Sequence, residues 1–381
     1  MPAILQAVSP PPLSTGVPYD TGMWAEVSVP LDPATVNDHT VFLKLDTGRV
    51  PITVQWDGAA RRIMITPLED MELFRTYTVE LSSGIHLASG EAFDGYFWQF
   101  KTNSVRRLRT PMPTDGAVNR SPFTALMWDS TEAAAGSIRY DVYVGSDSAA
   151  VANRSSAPAF STVRAWHLPT SRWTAGARYW WSVSVRNLTT SESLDGPTWS
   201  FSVISDSAPR DSVALPVQQW GLVTHIPGVG DFDICLGQSL NCGSNYTCAA
   251  DWDLANLPSG ARIVDARLTL TLNGSYDLSS TSLTIWGTDA AWTACDMGYP
   301  GPPYQDLYLD ALASGISLGN GKVRYASDLF AADLQARLDG FPLHGYLLRS
   351  TRTVAFWSPA AGNLGPVMLV EYVTDPAGVL P

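Results

Sequence analysis

Lysine is almost missing from this chain. Of 24 basic residues in 381, only Lys44, Lys101 and Lys322 are lysines, and the rest are arginine. Basic residues cluster nowhere beyond Arg106, Arg107 and Arg109, and the formal net charge is −12. So acidic a surface is repelled by nucleic acid and by anionic lipid, so nucleic acid is not an expected partner. Long apolar runs are missing too. No stretch approaches the ~20 residues a helix needs to cross a bilayer, so membrane insertion is not expected. The opening residues, Met1-Pro2-Ala3-Ile4-Leu5-Gln6-Ala7, lack the basic start and long apolar middle of a secretory signal. Two expectations follow: a signal already removed, or a protein never exported by that route. Charged residues make up only 16% of the chain and hydrophobic ones 45%, which excludes a disordered chain and allows substantial cores. The length suits two to four domains.

Helical periodicity is nearly absent as well. Alternation with period two recurs instead, between Pro, Gly, Asn and Asp. Met23, Ala25, Val27 and Val29 occupy every second position. So do Val50, Ile52, Val54 and Trp56; Tyr77, Val79 and Leu81; and Tyr96, Trp98 and Phe100. Many short strands with frequent turn signals predict an all-β chain of β-sandwiches. Two breaks divide it, at 104–113 and at 204–211. Each follows an aromatic strand, Trp98-Gln99-Phe100 or Trp199-Ser200-Phe201, and each precedes a proline that cannot continue a central strand. The modules expected are 1–103, 104–206 and 207–375, with an extension at 376–381. One helix is predicted, from Ser327 to Leu338. Ser327 or Asp328 caps it, Phe330, Leu334 and Leu338 recur on one face, and Gly340 stops it.

Cysteine is confined to the last third: Cys235, Cys242, Cys248 and Cys295. An even number in one module predicts two disulfides in one of three pairings, and hence an oxidising final environment. The spacings match no zinc motif and no histidine lies among them; free thiols stay open as the remaining reading.

Chemistry-bearing patterns are sparse. Gly315-Ile316-Ser317-Leu318-Gly319 fits a nucleophile-elbow pattern, but its Gly-rich surroundings read as a surface turn rather than a strand-to-helix elbow. The five histidines, His39, His86, His167, His225 and His344, are scattered over all three modules. The acid pairs Asp231/Asp233 and Asp251/Asp253 suit loop capping or a calcium ion better than acid–base catalysis. Calcium is therefore the only cofactor considered, and no catalytic residue is assigned. Among the 14 tryptophans, Trp286, Trp292 and Trp357, with Tyr304, are the candidates for stacking on sugar rings; packing is the competing role. Buried indoles would mean structure, and a solvent-facing row would mean glycan binding. Sequons stand at Asn119, Asn153, Asn187, Asn245 and Asn273, and no glycosylation is read from them.

Three resemblances run along these modules. Residues 3–102, from Val8-Ser9-Pro10 through Pro30-Leu31-Asp32-Pro33 to Trp98-Gln99-Phe100-Lys101-Thr102, resemble a bacterial Ig-like domain of the surface-layer type. Residues 110–204, with Leu126-Met127-Trp128, Tyr140-Asp141-Val142-Tyr143 and Tyr179-Trp180-Trp181, resemble a fibronectin type III domain. Residues 211–373, through Trp252-Asp253-Leu254-Ala255-Asn256-Leu257-Pro258 and Pro366-Val367-Met368-Leu369-Val370, resemble DNRLRE-type jelly-roll modules. Here four cysteines are added, and Ala250-Asp251 stands where a basic residue is expected. The resemblances imply a non-enzymatic structural protein of a surface assembly, on a virion (fibre, baseplate or decoration) or on a bacterial surface or filament. Its partners would be copies of itself or other virion or surface proteins, with polysaccharide as an alternative ligand.

Overall fold

The computed structural model describes residues 4–129, 138–227, 230–234, 239–243, 245–276, 283–288, 291–294, 297, 316–350 and 352–374. The fold is all-β, with β-sandwich modules in tandem. The chain divides into two compact units: Met1–Thr110, Asp129–Ala165 and Trp181–Thr198 in one, Pro111–Trp128, Trp166–Trp180 and Trp199–Pro381 in the other. Both take parts of 104–206.

In the first unit, residues 5–102 build two sheets. One runs in the order Leu5–Ser9, Met23–Val27, Arg62–Pro67, Ile52–Asp57; the other runs Ser14–Val17, Tyr96–Thr102, Thr76–Leu81, Val41–Leu45, Gly48–Val50. The alternation read from the sequence sets which side chains face inward. Met23, Ala25 and Val27 from one sheet meet Tyr77, Val79, Leu81, Trp98 and Phe100 from the other in one buried cluster. Tyr77 lies opposite Phe100 and stacks on it at 6.0 Å. Each such side chain, fully buried, contributes roughly 1.5–3 kcal/mol. The run Val50–Trp56 reads as one strand by alternation, but it is two. Gly48–Val50 belongs to one sheet and Ile52–Asp57 to the other. Pro51 stands at the change, where its missing N–H costs no ladder bond.

The link after this sandwich is packed in place. Val105 and Leu108 are fully buried. Arg106 and Arg109 lie against the buried Tyr19 ring and reach Asp70 and Asp20. The Ser104 backbone N–H donates to Glu192 at 2.8 Å.

In the second unit, residues 211–374 form two five-stranded sheets. One runs Asp211–Leu215, Val367–Thr374, Ala261–Thr271, Lys322–Ala326, Ile316–Gly319, and the other Gly230–Ile234, Val217–Ile226, Tyr246–Trp252, Tyr346–Ser350, Leu283–Gly287. Ser239–Cys242 and Val354–Trp357 add a two-stranded ribbon. The sheets share one core, with Ile263, Leu268 and Val370 from one and Leu222, Trp252, Ile285 and Leu348 from the other. Phe123, Ala125 and Leu168 join that core. Ile316–Gly319 and Lys322–Ala326 make an antiparallel hairpin across Asn320-Gly321, so the G-x-S-x-G stretch opens a hairpin rather than an elbow. Gly315 lies outside the described residues.

The predicted helix is present as Asp328–Leu338. Ser327 Oγ accepts the Leu329 N–H at 3.2 Å, Arg337 occupies the last turn, and Gly340 follows at φ +90°. It is buried on more than the one face its period suggests. Ala331, Ala332, Asp333, Gln335 and Ala336 are buried along with Phe330 and Leu334. Three alanines let strand Ala261–Thr271 approach closely, and Phe330 meets Tyr346 edge-on at 5.3 Å. The polar positions are met from outside the helix: Gln335 Oε1 accepts the Ile263 N–H at 2.8 Å.

Candidate functional site

Polar chemistry in the second unit converges on this helix. Asp333 and Arg337, four residues apart, project from one side of it. The Tyr346 hydroxyl donates to the Asp333 carboxylate at 2.5 Å, and both residues are fully buried. Arg337 pairs with buried Asp251 at 2.6 Å and donates to the Trp252 carbonyl at 3.1 Å. Burial raises the Tyr346 pKa well above its ordinary value, and Asp333 adds to the effect. Burial opposes the Arg337 charge, but Asp333 and Asp251 outweigh it and hold its pKa above the usual value. The hydroxyl is therefore a fixed donor and the guanidinium a fixed cation. The cluster ties the helix to strands Tyr246–Trp252 and Tyr346–Ser350.

A second set of polar contacts holds residues 117–128 to the same core. Arg120 pairs with Asp339, just past the helix, at 2.6 Å, with side chains 14% and 8% exposed. Ser121 Oγ donates to the Ile263 carbonyl at 2.6 Å, and Arg262 Nε donates to the Asn119 carbonyl at 3.1 Å. Beside them lies a cleft of about 450 Å³ lined by Met112, Pro113, Arg120, Leu257, Ala261 and Asp339, among others. Its one acid is already shared by Arg120 and Gln335.

The candidates read from the sequence are placed as follows. Asp251 is 5% exposed, caps the Trp252 N–H and belongs to the Arg337 pair. Asp253 accepts the Ala255 N–H at 2.8 Å in a turn. The side chains of Asp231 and Asp233 lie outside the described residues. Among the described residues no group of three or more His, Cys, Asp or Glu side chains could hold a metal ion. Cys242 and Cys248 are joined in a disulfide with Cα atoms 5.7 Å apart, and both are fully buried. Cys235, Cys295 and Tyr304 lie outside the described residues. Trp292 is buried, and its indole N–H donates to the His344 carbonyl at 2.6 Å. Trp286 packs with it against Val223, Ala249, Met297 and Leu347. Trp357 is half-buried on the ribbon, opposite Ser239.

Sequence reasoning missed Arg337, Asp333, Tyr346, Arg120 and Asp339. One signal was available: a polar i, i+4 pair inside an otherwise apolar helix asks for partners elsewhere.

These features define a class, a chain of tandem β-sandwich modules. Residues 2–102 match the model of the family described as bacterial Ig-like domain. No curated protein matches the chain. Similar solved structures include CopC from Methylosinus trichosporium OB3b, 12% identical over 26% of this chain and 92% of that one, with a TM-score of 0.22. The N-terminal part of the bacterial S-layer protein SbsC is 12% identical over 52% of this chain and 43% of that one, again at 0.22. Domains MG0-NIE-MG1 of Escherichia coli alpha-2-macroglobulin are 10% identical over 93% of this chain and 95% of theirs, at 0.25. At such TM-scores these likenesses carry no argument. The chain spans less than half of the SbsC structure it matches.

Proposed function

We propose that this chain is a non-enzymatic structural protein of a surface assembly, in which the Ig-like and fibronectin type III-like modules space a DNRLRE-like, disulfide-pinned module from its anchor. The observation that carries the reading is that Ser104 in the link 104–113, and Arg120 and Ser121 just beyond it, are each held by bonds within their own unit. Ser104 is bonded to Glu192 in one unit, and Arg120 and Ser121 are bonded to Asp339 and Ile263 in the other. A spacer needs links packed into its modules; a catalyst needs unspent polar groups in a cleft. The Ig-like match over residues 2–102 and the Cys242–Cys248 disulfide support an oxidising, exposed destination. Within this reading we favour a virion component (fibre, baseplate or decoration) over a bacterial surface or filament protein. Trp292 and Trp286 are spent on packing, which favours structure over a glycan site in residues 207–375.

The test is electron microscopy of the protein on its native particles. Many copies in a regular array with extensive contacts between them are expected. A chain recovered only as a free monomer would overturn the reading.

A further inference from the structure

Among the three lysines of the chain, two stand on one sheet face. In strand Tyr96–Thr102 the side chains of Trp98 and Phe100 point inward, so Phe97, Gln99 and Lys101 point outward. Register places Phe97 opposite Glu80 and Glu80 opposite Phe42. On the next outward row, Gln99 lies opposite Thr78, Thr78 opposite Lys44 and Lys44 opposite Arg49. Lys44 pairs with Glu80. Arg49 and Lys101 do not pair with a carboxylate among the described residues; each lies on an aromatic ring, Arg49 3.9 Å from Phe42 and Lys101 3.3 Å from Phe74. Ring contact holds a cation without cancelling its charge. Two apolar side chains stand out beside them. Phe97 is 65% exposed, and Leu13, whose N–H donates to the Gln99 carbonyl at 2.6 Å, is 80% exposed. Leu13 also sits at φ +63°, a conformation leucine adopts only at a cost.

The face is therefore apolar and positive on a chain whose net charge is −12. We infer that it docks the acidic surface of a second copy of this chain, an inference that rests on the assembly reading above. Charge complementarity selects that occupant. The chain carries 36 acidic residues against 24 basic ones, and this face withdraws cations from the balance elsewhere. A positive face does not pair with itself, so the contact is head-to-tail. It leaves the same face open on the next copy and so propagates instead of closing a dimer.

Sedimentation velocity of the full chain over a range of concentration and salt tests this. Association that weakens as salt rises is expected, and it should fall about tenfold or more in Arg49→Glu and in Phe97→Ser. Both positions are exposed, so folding is not at stake. Lys322→Glu, an equal charge reversal on the Asn320-Gly321 hairpin, should associate like the parent. If the parent associates and Arg49→Glu and Phe97→Ser match it, the face is wrong while the assembly reading stands. A parent monomeric throughout overturns the face, and recovery from native particles only as a free monomer overturns the assembly reading as well. If a polyuronate such as alginate binds the monomeric parent and not Arg49→Glu, the face belongs to an acidic glycan and the second copy is excluded.

Discussion

Arg337 is a buried cation held by buried carboxylates. It sits between Asp251 and Asp333 with its side chain 9% exposed. Replacing it leaves buried carboxylates without their cation, so Arg337→Met is expected to cost about 3–5 kcal/mol in urea unfolding. A loss below about 1 kcal/mol would show that the pair contributes little beyond packing. Gly345 is the matching backbone case. It stands at φ +87°, and a Cβ there would lie 2.7 Å from the Ala250 carbonyl oxygen and 2.8 Å from Asp251 Cβ. Neither neighbour can give way without shifting a central strand. Gly345→Ala is therefore expected to destabilise by roughly 2–3 kcal/mol, read as a lower midpoint at unchanged slope.

His167 supplies the pH dependence. Burial lowers its pKa from 6.5 to about 4. The folded chain thus keeps it neutral where the unfolded chain would protonate it. Its contribution is complete above pH 6.5 and is lost as pH falls through about 4. Below that the penalty reaches at most about 3 kcal/mol. His167→Gln should flatten the acid limb of stability between those values; an unchanged limb would mean that carboxylates alone produce it.

At the scale of elements, the helix Asp328–Leu338 shows what a pattern can and cannot say. Its cap, its stop and the positions of Phe330 and Leu334 followed from residue type and spacing alone. That Asp333 and Gln335 would be buried did not, because their partners, Tyr346 and the Ile263 N–H, are distant in sequence. The strands tell the same story. Alternation placed Met23, Tyr77, Val79 and Trp98 inward, but one continuous alternation hid the change of sheet at Pro51.

At the scale of the whole molecule, the link 104–113 matters most. Val105 and Leu108 are buried while Arg106, Arg107 and Arg109 are exposed around them. The exposed arginines invite trypsin, and the buried residues withhold the backbone from it. Slow cleavage is expected in the parent. Leu108→Ala should lose about 2–4 kcal/mol locally and be cut much faster there. Equal rates would mean that the link opens freely and would weaken the case for a spacer.

Composition and periodicity by themselves determined an all-β chain, an acidic surface, the helix Asp328–Leu338 and the inward side chains of the first sandwich. These depend on residues near one another along the chain. Only the tertiary structure decided that Cys242 bonds Cys248, that Asp251 pairs with Arg337, that Trp292 is buried, and that Arg49 and Lys101 share a face with Phe97. Each of those depends on strand order and register, which bring together residues that a local pattern cannot connect.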